Sequence, residues 1–199
     1  MQVRRGSAAL WLAVLALAGG CGSHHTFSGP WIVTVGGRIG SLHLDRSDRA
    51  SVIAFAGKPD AERRGRQPAS ARFDALGYDC EAGQLPGPLP DVGLPHCRTI
   101  FFINARRGTL ATFFTTSPRY VEGHGVRIGM RQASAERLLH RRLTVGCETN
   151  FYLSSPRAML TIAFTGGIEK RHSTSVKGAH VYAFALHSPR HDVGVSDCL

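Results

Sequence analysis

The chain has 199 residues, 43% of them hydrophobic and 19% charged. This suits one or two small globular domains and excludes a disordered or coiled-coil chain. Twenty-four Lys and Arg against 14 Asp and Glu give +10, and the one long apolar stretch is N-terminal, which excludes a multi-pass membrane protein.

The first predicted element is an export signal. Arg4 and Arg5 precede Ala8–Ala18, an apolar core of 11 residues. A membrane span needs about 20 residues, so this stretch has the length of a signal peptide. Two processing sites compete. Ala16-Leu17-Ala18 is a small-x-small cleavage site. Ala18-Gly19-Gly20-Cys21 resembles the lipobox of bacterial lipoproteins, with Ala18 where that pattern prefers Leu. The expectation is a signal peptide over 1–20, lipid on Cys21 and a tether over 21–29. Removing Arg4 and Arg5 with the leader leaves +8.

A first α+β unit is expected over 30–119. Asp45, Ser47 or Asp48 can cap a helix running to about Ala56, which Gly57-Lys58-Pro59 ends. Arg98–Asn104 and Thr109–Thr115 flank Ala105-Arg106-Arg107-Gly108 and predict a hairpin. Ser117–Gly125 is the expected join. A second unit is expected over 120–199. Ala135, Leu138, Leu139 and Leu143 fall at helical spacing within Gln132–Leu143. Asn150–Leu153 and Ala158–Thr165 predict a second hairpin. Ala179–His187 alternates as a late strand, with Val181, Ala183 and Ala185 on one face and Tyr182, Phe184 and Leu186 on the other. The tripeptide Arg38-Ile39-Gly40 recurs as Arg127-Ile128-Gly129. The predicted fold class is α+β: two tandem units, each a helix packed on an antiparallel β-meander.

Assigning Cys21 to lipid leaves Cys80, Cys97, Cys147 and Cys198. Four cysteines allow three pairings. Cys80–Cys97 with Cys147–Cys198 places one bridge in each half. A metal site does not suit this spacing, because no CxxC occurs.

Ile128-Gly129-Met130-Arg131-Gln132-Ala133-Ser134-Ala135-Glu136-Arg137-Leu138-Leu139 resembles the entry motif of the BamE/SmpA lipoproteins and of the β-lactamase inhibitor protein family. Val52-Ile53-Ala54-Phe55-Ala56-Gly57-Lys58-Pro59 is similar to the end of the same motif. The resemblance implies a helix packed on an antiparallel sheet, two tandem units, and a disulfide after each helix. The matched residues serve capping and core, so no partner-binding residue is implied.

No GxSxG, HExxH, Walker A or GxGxxG motif occurs, and no catalytic residue, metal or cofactor is assigned. His187 and His191 are four apart, but Pro189 disfavours the helix that would align them. Asp45, Asp48 and Asp91 are candidates for a catalytic carboxylate pair only by being present, and Asp45 and Asp48 are expected as helix caps. Lys58, Lys170 and Lys177 are the whole Lys complement, leaving 21 Arg, a bias that points to base composition more than to a charged binding surface. No basic run is interleaved with aromatics, so nucleic acid is not expected as a partner. The adjacent pairs Phe101-Phe102 and Phe113-Phe114 place one ring of each on either sheet face. Phe102 and Phe114, with Arg106, Arg107 and Arg119, are therefore the candidate binding surface where that face is exposed; the alternative is that the partner unit covers it. The expected role is non-catalytic binding of an envelope protein or envelope component, with the membrane engaged through the N-terminal lipid. The alternatives are electrostatic binding of anionic cell-wall polymer or lipid, and an exported hydrolase.

Overall fold

A computed structural model describes residues 29–65, 73–81, 96–141, 150–165 and 178–189. The expected leader, Cys21, Asp91, Cys147, His191 and Cys198 lie outside the described residues. In chain order the elements are β1 (Trp31–Thr34), β2 (Arg38–Ile39), β3 (Leu42–His43), α1 (Arg49–Ala56), β4 (Ala61–Arg64), β5 (Phe73–Glu81), β6 (His96–Asn104) and β7 (Leu110–Thr115). There follow β8 (Tyr120–Glu122), α2 (Gln132–Leu139), β9 (Asn150–Ser154), β10 (Met159–Phe164) and β11 (Val181–His187). The fold is α+β and mostly sheet, with two helices among the described residues and a Cys80–Cys97 disulfide.

The helices start and stop for local reasons. Asp48 accepts from Ser51 N at 2.8 Å and from Ser51 Oγ at 2.6 Å, so it is the cap of α1. These bonds hold its carboxyl below the usual carboxylate range. Asp45 is not the cap; it takes a left-handed φ of 61° and accepts from Ser188 Oγ at 2.6 Å. Gly57, at φ 88°, closes the other end with its N–H on the Ile53 carbonyl. The second helix is shorter than the expected Gln132–Leu143. It stops at Leu139 because His140 turns left-handed, at φ 50°, and the His140 and Arg141 N–H groups bond back to Arg137 and Glu136.

Seven strands form one sheet in the order β4-β5-β6-β7-β11-β10-β9, every neighbouring pair antiparallel. The β7–β11 pairing joins the strands of 30–119 to those of 120–199. A four-stranded sheet, β3-β2-β1-β8, includes one parallel pair, β1–β8. Its Gly40 takes φ 56°, and a Cβ there would lie 2.6 Å from the Phe55 ring. Only glycine lets the β2–β3 turn pass this close to α1.

One face of the large sheet carries Leu76, Phe101, Phe113, Leu160 and Phe184 into a single core. That core also holds Val52 of α1, Ala135 and Leu139 of α2, and Val33 and Ile39 of the small sheet. The opposite face holds Phe73, Ala75, Phe102, Ala111, Phe114, Ala163, Ala183 and Ala185. This corrects the expectation that Phe102 and Phe114 line an exposed face: they are 5% and 0% exposed. The face is mainly apolar, with Thr112 opposite Phe102 and Thr161 opposite Ala185 buried among these side chains, and leaving its apolar area in water would forfeit about 25 cal/mol per Å². The alternation expected in the last strand also breaks. Ala163 pairs with Ala183 and Phe164 with Val181, so Tyr182 is an extra residue and Val181 falls on the Phe184 side.

Candidate functional site

A cavity of about 210 Å³ opens where the end of α1, the middle of β5 and the start of β8 meet. Trp31 of β1 forms one side. The parallel register sets Trp31 beside Tyr120, and Trp31 N–H donates to the Arg119 carbonyl at 2.9 Å. The indole contacts Phe55 at 4.5 Å and Tyr120 at 5.0 Å between ring centroids. Its Nε1–H is buried without a hydrogen-bond partner. Ala56 and Lys58 line the cavity from the end of α1, because Gly57 and Pro59 turn the chain there.

Asp60, Tyr78 and Asp79 come from the adjoining β4–β5 region. Asp60 N–H donates to the Gly77 carbonyl at 2.9 Å, and Asp60 Oδ2 accepts from Cys80 N at 3.2 Å. Tyr78 pairs with Thr99 and Cys80 with Cys97, while Asp79 between them takes a left-handed φ of 52°. Asp tolerates this region better than most residues, yet such strain costs of order 1–3 kcal/mol and clusters at functional sites. Gly77 belongs to the same construction: a Cβ there would meet Cys97 Sγ at 2.5 Å, so the disulfide sulfur occupies the space over it.

Thr99 lines the cavity from β6. Its hydroxyl is 2.9 Å from that of Thr115, which in turn accepts from Ser117 N at 3.0 Å. Burial pushes the Tyr120 phenol well above its ordinary range, against the opposing effect of its hydrogen bond to Thr99, with Asp79 adding to the rise. Burial likewise pushes Tyr78 up to about 12, with Glu62 adding to it.

The Tyr78 hydroxyl is buried with no partner. Tyr78→Phe is therefore expected to leave stability unchanged or raise it slightly, since it removes an unsatisfied polar atom. The same variant has a pH signature. An unfolded tyrosine ionises near 10 and the folded Tyr78 at about 12, so between these values only the unfolded chain gives up this proton. Stability from this group is intact below about pH 10 and falls as pH rises toward 12. Chemical denaturation at several alkaline pH values should show a shallower decline for Tyr78→Phe than for the parent.

Of the residues expected at a binding surface, only Arg119 reaches the cavity. Arg106 and Arg107 are exposed in the β6–β7 turn, where their N–H groups donate to Asn104 Oδ1 at 3.0 Å each. They lie at one end of β7 and Arg119 lies beyond the other, roughly 20 Å of strand away. The Phe–Arg patch is therefore not assembled. Lys58, Asp60, Tyr78, Asp79 and Thr99 carried no signal of their own. Lys58 reads only as part of a helix stop, and no alternating apolar pattern marks the strand bearing Tyr78 and Asp79. Trp31 did carry one, as the single Trp outside the leader.

Among the described residues, no group of three or more His, Cys, Asp or Glu is placed to hold a metal, and no helix is long and apolar enough to cross a membrane.

No family model and no curated protein matches the chain. Two solved structures are similar to it. The uncharacterized protein YfeY from Escherichia coli is 16% identical with a TM-score of 0.42, over 78% of this chain and 98% of that one. An extracellular protein containing a SCP domain from Bacillus anthracis is 8% identical with a TM-score of 0.36, over 72% of this chain and 43% of that one.

Proposed function

We propose that this chain is an exported, non-catalytic binding protein of the bacterial cell envelope. Its anchor is lipid on Cys21, and its recognition site is the cavity beside Trp31. The leader and the Ala18-Gly19-Gly20-Cys21 sequence support export and lipidation. The scaffold is two tandem units: a short β segment, a helix and an antiparallel meander occur in that order over 31–115 and again over 120–187. That order, with the motif resemblance to the BamE/SmpA and β-lactamase inhibitor families, supports a module that presents a surface instead of running a reaction.

The observation that carries the reading is the convergence of side chains from α1, β1, β5, β6 and the β7–β8 loop on one cavity. Ligand sites are concave, with a few polar groups placed by a rigid frame. The test is capture from isolated envelope fractions at low and high salt, comparing the parent with Ala56→Trp, which fills the cavity from the end of α1. A discrete component retained at high salt by the parent and lost by the variant is expected. Equal capture by both overturns the cavity as the site. Capture of anionic polymer or lipid at low salt alone would instead make the +8 charge left after leader removal the recognition element.

A further inference from the structure

We infer that the cavity takes a zwitterionic α-amino acid head, bearing ammonium and carboxylate on one carbon. The inference rests on the reading of the cavity as the binding site. Four charged side chains line it, two of each sign: Lys58, Arg119, Asp60 and Asp79. None of them pairs with another. The ion pairs among the described residues are Arg49–Glu62, Arg98–Glu81 and His124–Glu122, all elsewhere. Opposite charges left unpaired around one small space are complementary to a ligand that brings both signs. A purely anionic ligand would meet Asp60 and Asp79, and a purely cationic one Lys58 and Arg119, so each is disfavoured.

Size and donors narrow the class. An apolar cavity of about 150 Å³ holds a benzene molecule, so about 210 Å³ has room for the head of one amino acid. The carboxylate falls to the Lys58 and Arg119 side chains, which bring the positive charges that line the cavity. The two acids meet at Cys80 in different ways. Asp60 receives that residue's N–H through Oδ2, which leaves Oδ1 for an ammonium, and Asp79 precedes it in the chain. The left-handed backbone at Asp79 is accepted by a residue that also brings a negative charge to the cavity.

The test uses Trp31 as its own reporter. The chain has two Trp, so full-length protein carrying Trp11→Phe keeps a single indole, at the cavity. Phenylalanine is expected to give a saturable fluorescence change. N-acetylphenylalanine, which lacks the ammonium, and phenylalanine methyl ester, which lacks the carboxylate, are expected to bind about tenfold or more weaker. Asp79→Asn, which keeps the tolerated left-handed backbone, should weaken phenylalanine but not N-acetylphenylalanine. Arg119→Gln should weaken phenylalanine but not its ester. Nε-acetyllysine separates two sources of the same head. Tighter binding than phenylalanine points to a residue joined to an envelope peptide through its side chain, and weaker binding to a free amino acid. If a blocked ligand binds as well as phenylalanine, or none of these ligands binds, the zwitterion inference is overturned. The cavity reading survives either result if Ala56→Trp still abolishes envelope capture.

Discussion

Phe113→Ala is expected to lower stability by about 3–5 kcal/mol, the usual range for deleting a buried phenyl ring. Phe113 is fully buried at the middle of the large sheet, with Phe101 opposite it on β6 and Leu186 opposite it on β11. Its ring lies 5.1 Å from that of Phe101 and 4.8 Å from that of Tyr120. Truncation therefore opens a cavity touching strands from both halves of the chain, and no neighbour is free to collapse into it. Urea denaturation should show the loss as an earlier midpoint with an unchanged slope, in one transition, because the halves share a sheet and a core. Two separate transitions would contradict the shared core. Phe114→Ala, on the opposite face, should cost a comparable amount, since that ring is also fully buried. A near-neutral Phe114→Ala would instead restore the open sheet face that its sequence position suggested.

That contrast marks where the sequence is legible. Elements with strong local signals appear close to their expected places. Asp48 and Gly57 bracket α1, and the Ala105–Gly108 turn joins β6 to β7. The strand Phe73–Glu81 was invisible because Asp74, Gly77 and Asp79 are poor strand formers. Tertiary context supplies what propensity lacks: β4 and β6 pair on either side, and the disulfide sulfur fills the space over Gly77. The cavity was hidden for the same reason, since two of its side chains, Tyr78 and Asp79, come from this strand. The Phe pairs straddle the sheet, as their adjacency in strands requires. What covers each face depends on packing between distant segments, and a period-2 pattern does not encode it.

Replacing both Cys80 and Cys97 with Ala is the second large effect expected. The bridge joins directly opposed residues of β5 and β6 across a sequence separation of 17. Closing a loop of that length removes about 3 kcal/mol of unfolded-state entropy in the chain-entropy model, so the double variant should lose about that much. The loss should also reach the cavity, because Cys80 follows left-handed Asp79 and donates its N–H to Asp60. Without the bridge that backbone is less restrained, and phenylalanine binding should weaken along with stability. Wild-type binding retained in the double variant would show that the Asp60–Cys80 hydrogen bond suffices to hold the two acids. Reductant separates this bridge from the other expected pair. Added to the parent, it removes the Cys80–Cys97 contribution together with any from Cys147–Cys198. Added to the double variant, it acts on Cys147–Cys198 alone. A further drop in that variant's midpoint therefore reports the second bridge, and no change rules it out as a stabilising link.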